Sequence, residues 1–232
     1  MDVTKLEALV NEAVRDADLH PNEIPAIDLY LDQITSLMSE KLKEGSERFW
    51  DRVLTKTMIN NYSKDGLISP VKGKKYSKEQ ILQMLLVYEL KNTLSIGEIK
   101  RVLQSVYALP DFDGKLLERT YLRFLEIKEM ERNEMAGFLQ SFTDQYSLDV
   151  NEDADFFTLI LGLSTMSSYL KNVVQALLEA RYPDPDAEKQ RGEQVKKEEL
   201  KRQKEEKKAA AKAAKKEDTA EKAVAAREED GV

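Results

Sequence analysis

The sequence predicts a mainly α protein built on a winged helix-turn-helix: short helices with a small β-hairpin wing, then long C-terminal helices and a disordered charged tail. Three observations predict it. Apolar residues recur at helical spacing along nearly all of the first 183 residues. One stretch, Leu67 to Tyr76, is too short and too broken by Pro70 and Gly73 to be helical. Directly after it, Ser77-Lys-Glu-Gln80 and Ser95-Ile-Gly-Glu98 each have capping-box spacing and so open two helices in succession.

The first helix is carried by Leu6, Leu9, Val10, Ala13 and Val14, which share one helical face. Pro21 and Pro25 interrupt the chain. A second helix is expected over residues 26–43, burying Ile27, Leu31, Ile34, Leu37, Met38 and Leu42, with Gly45 as its stop. Phe49 and Trp50 are expected to pack this helix onto the module that follows. A third helix begins at Thr55, a good N-cap, and stops at Gly66. Two short extended pieces joined by a lysine-rich turn, Val71-Lys-Gly-Lys-Lys75, then form the wing.

The capped helices span about 78–92 and 96–107. The first is apolar on most sides and must sit centrally. The second presents Ile96, Ile99, Val102, Leu103 and Val106 on one side. Pro110 to Gly114 is a turn, followed by helices over about 115–144 and 155–181. The apolar stripe of the last is wide enough to need two partners. The resulting organisation is an amphipathic helix in 1–20, the winged module in 24–107, a helical dimerisation or effector region in 115–182, and a charged low-complexity tail in 183–232. A homodimer through helices 115–181 is expected. The aromatic residues at 121, 124, 138 and 142 are read as core, with a small-molecule effector cavity as the alternative.

The net charge is −7, unhelpful to a polyanion binder until its distribution is considered. Between Lys41 and Lys78 there are ten Lys or Arg against four Asp or Glu, whereas the tail from Asp184 carries 14 of each sign. One basic segment thus stands on an acidic molecule. The chain has no cysteine, which excludes disulfides, thiolate metal sites and thiol catalysis. No apolar run approaches the ~20 residues needed to cross a bilayer, and the N-terminus does not read as a signal peptide. A cytoplasmic protein that contacts no membrane is expected.

Candidate chemistry concentrates between Lys56 and Tyr76. On the third helix (55–65), Lys56, Thr57, Asn60, Asn61 and Lys64 face outward while Met58, Ile59 and Tyr62 face in. Asparagine pairs with adenine through two hydrogen bonds, threonine contacts bases or a thymine methyl, and lysine neutralises phosphate. The wing (71–76) brings Lys72, Lys74 and Lys75 to a hairpin tip suited to a phosphate backbone. Asp28 and Asp32, one helical turn apart, read as an ordinary polar face. His20 has no second ligand at metal spacing, and no glycine-rich phosphate loop or nucleophile–histidine pair is present. Catalysis is not expected, nor any cofactor.

The segment Leu54-Thr-Lys-Thr-Met-Ile-Asn-Asn-Tyr-Ser-Lys-Asp-Gly-Leu-Ile-Ser-Pro70 resembles the recognition-helix segment of the mercury-resistance-regulator (MerR) superfamily. Lys74-Lys-Tyr-Ser77 is similar to that superfamily's wing, and Leu94-Ser-Ile-Gly-Glu-Ile-Lys100 to the start of a later helix. Pro25-Ala-Ile-Asp-Leu-Tyr-Leu-Asp-Gln33 with Thr55 to Tyr62 resembles a family common in Firmicutes and known only as domain of unknown function 1836. The superfamily resemblance covers residues 54–103 and implies a MerR-like winged fold, binding to double-stranded DNA and transcriptional regulation. It adds Tyr62 and Tyr76 to the implied DNA-contacting set. Thr57 and Asn60 stand where the superfamily has arginine, and Asn61 where it has the first of two tyrosines. Base preference would therefore rest on this chain's own side chains. A protein-interaction adaptor that keeps the fold without binding DNA is the alternative.

Overall fold

A computed structural model describes residues 3–50, 52–71, 73–184 and 189. The chain divides into two units, Met1–Tyr182 and Pro183–Val232. The expected disordered tail therefore lies almost wholly outside the described residues. Within the first unit the order is α1 (Val3–Val14), β1 (Leu29–Tyr30), α2 (Leu31–Leu42), α3 (Lys56–Lys64), β2 (Lys75–Tyr76), α4 (Lys78–Leu90), α5 (Ile96–Tyr107), α6 (Gly114–Gln145) and α7 (Asp153–Arg181). The chain is mainly helical with one small antiparallel sheet. No helix among the described residues is long and apolar enough to cross a membrane.

The axle is α4. It buries Ile81, Leu82, Met84, Leu85, Val87 and Tyr88 on several sides at once, and so must be enclosed by neighbours. Ile34 and Met38 of α2, Ile59 and Tyr62 of α3, Ile99 and Leu103 of α5, and Leu117, Tyr121 and Leu125 of α6 close around it. A second, smaller core joins Leu6 and Val10 of α1 to Leu139 of α6 and Leu159 of α7. α6 thus serves both cores, its first turns in one and its later turns in the other.

The helix starts follow side-chain capping. Thr55, Ser77 and Ser95 each accept a hydrogen bond from the backbone N–H three residues on. Both predicted capping boxes are present, with Gln80 and Glu98 accepting from the backbone N–H groups of Ser77 and Ser95.

Two expectations fail near the sheet. The second helix begins at Leu31, not residue 26, and Ile27 is 70% exposed, not buried. Its start is marked by Gln33, whose side chain accepts the N–H of Tyr30 at 2.8 Å. That one-sided cap carries no Ser, Thr, Asp or Asn at the N-cap to advertise it. The two residues before it are extended because they pair with β2, Leu29 opposite Tyr76 and Tyr30 opposite Lys75.

The expected hairpin within 67–76 is therefore replaced by a sheet between segments 45 residues apart in the chain, counted from Tyr30 to Lys75. The reason lies in α4. Ser69 donates its N–H to Gln83 Oε1 at 2.7 Å, while Gln80 Nε2 donates to the carbonyls of Ser69 and Pro70 at 3.1 and 3.0 Å. Two buried glutamines thereby satisfy the backbone of 69–70, and β2 is left to bond elsewhere. Trp50 also departs from expectation. It is 42% exposed, and Leu54, fully buried, fills the core position instead.

A cluster of charges ties the chain between α1 and α2 to the rest. Lys128 Nζ lies 2.6 Å from both Asp16 Oδ2 and Asp18 Oδ1 and 3.3 Å from Glu89 Oε1. Arg132 Nη2 meets Asp18 at 2.5 Å and Asp16 at 2.9 Å. Burial works against the Lys128 charge, but the surrounding carboxylates outweigh it and hold the ammonium protonated well above the usual lysine range. Beside this cluster Tyr121 Oη donates to the carbonyl of Leu19 at 3.1 Å.

Candidate nucleic-acid interface

α3 is a short helix with two unlike sides. At 100° per residue, Met58, Ile59 and Tyr62 share the side turned to α4, and Thr57, Asn60, Asn61 and Lys64 share the other. All four of the latter are exposed, as the sequence predicts. The helix is held by the Thr55 cap, whose Oγ1 accepts from Met58 N–H at 3.2 Å. It ends where Gly66, at φ +70°, lets Leu67 N–H return to the Tyr62 carbonyl at 2.9 Å. No acidic residue occupies its first turn, which begins with Lys56.

Tyr62 and Tyr76 do not belong to this surface. They are 4% and 7% exposed and sit in the main core, and burial pushes the Tyr62 phenol up. The aromatic positions implied as DNA contacts are structural in this chain. Tyr62 anchors α3 to α4, and Tyr76 supplies the inward side chain of β2.

The lysine turn lies at the surface where it is described. Lys74 and Lys75 are exposed, with Gly73 at φ +77° making the turn before them. Lys72 lies outside the described residues. The ammonium of Lys75 stands over the ring of Tyr30, 4.9 Å from its centroid, a cation–π contact across the β1–β2 pair. Two residues beyond Tyr30, Asp32 forms an ion pair with Lys56. Lys56, Asp32, Tyr30 and Lys75 are thus linked in series across one corner of the molecule. The start of α3, the start of α2 and the lysine strand meet there. Lys64 and Lys74 make no ion pair with any described residue.

The corner gathers hydrogen-bonding and charged side chains. Asn60 and Asn61 each offer a donor and an acceptor on one side chain, Thr57 a hydroxyl, and the lysines point charges. The Lys56–Asp32 pair is 59% and 73% exposed on its two sides, so water screens it and an incoming anion can compete for the ammonium. Sequence reasoning missed Tyr30 and Asp32. Tyr30 falls inside the helix expected over 26–43, and the spacing of Asp32 from Asp28 signals nothing beyond a polar face. Among the described residues no group of three or more His, Cys, Asp or Glu could hold a metal ion.

Residues 19–124 match the family model described as Domain of unknown function (DUF1836). The match takes in α2 to α5, the sheet and the first turns of α6, and leaves α7 outside. No curated protein and no solved structure matches the chain.

Proposed function

We propose that residues 24–107 form a MerR-like winged module that binds double-stranded DNA, and that the protein is a transcriptional regulator without enzymatic activity. In this reading α3 enters the major groove, with Asn60 and Asn61 toward base edges and Thr57 beside them. Lys56, Lys64, Lys74 and Lys75 engage phosphates. The observation that carries it is the linked series Lys56–Asp32–Tyr30–Lys75, which sets the lysine strand beside the start of a helix whose outer face is wholly polar. The residues of the MerR-like resemblance support it: Gly66 and Leu67 turn the chain out of α3, and Ser95 and Glu98 cap α5.

The test is a titration of the full chain with duplex fragments from the region upstream of its own gene, at several salt concentrations. Affinity should fall steeply as salt rises. Replacing Lys74 and Lys75 together with alanine should flatten the log–log slope by about 2, one counterion for each lysine–phosphate pair removed. Absence of binding at low salt would overturn the reading. A second reading has its own observation: the chain's net charge is −7, and Asp32 already occupies one of the lysines. On that reading the same face docks a protein, and the titration would give no DNA complex.

A further inference from the structure

Along α7, Leu159, Leu163, Met166, Leu170, Val173 and Leu177 are spaced four, three, four, three and four residues apart, the spacing of a helix-to-helix seam. The chain uses only the first half of this seam on itself. Leu159 is buried in the second core, Leu163 packs against it and Met166 is half-buried. Beyond Met166 the seam emerges: Leu170, Val173 and Leu177 are 61%, 52% and 65% exposed. The same half of α7 is held to the molecule by a different side. Leu178 enters the main core, and Gln175 Nε2 reaches Glu98 Oε1 of α5 at 3.4 Å. Where the seam leaves α6, a groove of about 700 Å³ opens between α6 and α7, with Phe138 on one wall and Leu170 and Val174 on the other.

We infer that a second copy of this chain covers that groove, its α7 lying against the Leu170–Val173–Leu177 seam about a two-fold axis. The inference does not depend on DNA binding. Area supports it. Phe138, Tyr169, Leu170, Val173, Val174 and Leu177 are 39% to 66% exposed. They offer on the order of 600 Å² per copy, about three quarters of the ~800 Å² per partner of a stable interface, before any polar rim is added. Charge supports it as well. From Phe156 to Leu178 the only charged residue of α7 is Lys171, which lines the groove together with Glu131 and Glu134 of α6. The groove thus holds two carboxylates against one lysine of its own, and a second α7 adds from this stretch a lysine and no carboxylate, an exchange that the two-fold repeats. The sequence after Pro183 contains no aromatic residue and is dominated by Ala, Lys and Glu, so it is a poor filler for an apolar groove.

The experiment is sedimentation velocity on the full chain from micromolar to several hundred micromolar. Wild type should sediment as a dimer at the upper end. Leu170→Glu with Leu177→Glu should weaken the dimer at least about a hundredfold, with unchanged circular dichroism because both side chains are exposed in the monomer. Leu161→Glu, 51% exposed on the other side of α7, should leave the dimer intact. Because the chain has no native cysteine, single cysteines at 170, 173, 174 and 177 can be oxidised in turn, and at least one should yield a disulfide-linked dimer. A monomeric wild type would overturn the inference. So would a dimer that survives the double substitution, one that Leu161→Glu disrupts equally, or four cysteine variants none of which cross-links.

Discussion

Among the described residues two places set lysine against aspartate, and they differ in almost everything else. At the corner of α2 and α3, Lys56 pairs with Asp32 in the open, 59% and 73% exposed. Beneath α6, Lys128 and Arg132 hold Asp16, Asp18 and Glu89, with Lys128 18% and Asp18 11% exposed. Water screens the first pair to nearly nothing, whereas the second group is bound by attraction that water cannot fully dilute. Burial, not the identity of the charges, separates a clamp from a pair that an anionic ligand can exchange.

Lys128→Met tests the clamp most severely. It strands three carboxylates with only Arg132 to answer two of them, and is expected to cost about 2–3 kcal/mol of unfolding free energy, read by urea denaturation. A change below about 0.5 kcal/mol would put this cluster in the same class as the surface pair. Asp32→Asn tests the other side of the contrast. It should leave unfolding free energy within about 1 kcal/mol of wild type while raising duplex affinity about threefold, because Lys56 is released to phosphate. Weaker duplex binding would mean that Asp32 positions the corner and does not compete with the ligand.

The smallest expected effect concerns Glu89. Burial raises its carboxyl above the usual range, with the Lys128 ammonium opposing. Such a group binds its proton more tightly in the folded chain than in the unfolded one. Stability is therefore gained as pH falls through the raised folded pKa, and no gain exists above it. Wild type should improve relative to Glu89→Gln by less than about 1 kcal/mol between pH 7 and about pH 4, measured by denaturation at each pH. A difference that does not move with pH would place Glu89 with the exposed carboxylates.

What the sequence discloses, and what it conceals, divides along the range of the interactions. Ser77, Ser95 and Thr55 announce their helices because a cap is decided within four residues. The polar face of α3 is legible for the same reason. The sheet is not. Leu29 and Tyr30 find their partners only across 45 residues or more, and two extended residues leave no alternating pattern to read. Gln80 and Gln83 are a sharper clue: two buried amides in an apolar helix must bond to something, and here it is the backbone after Gly66. Tyr62 and Tyr76 show the converse error, since a resemblance transfers positions more safely than it transfers exposure. The wide stripe on α7 asks for two partners. One is visible as α6 and α1, and the other is the second copy proposed to cover the seam.

α6 runs 32 residues from Gly114 to Gln145 without a proline. At 1.5 Å per residue that is a strut about 48 Å long, rooted at one end in the main core and at the other in the small core. Such a rod changes length very little. Were two copies joined at α7, their α3 faces would be held at a separation fixed by the protein, like the points of a calliper. DNA offers its major groove on the same side only once per helical turn. Inserting half a turn between two half-sites would then abolish simultaneous engagement without altering a single base that either copy touches.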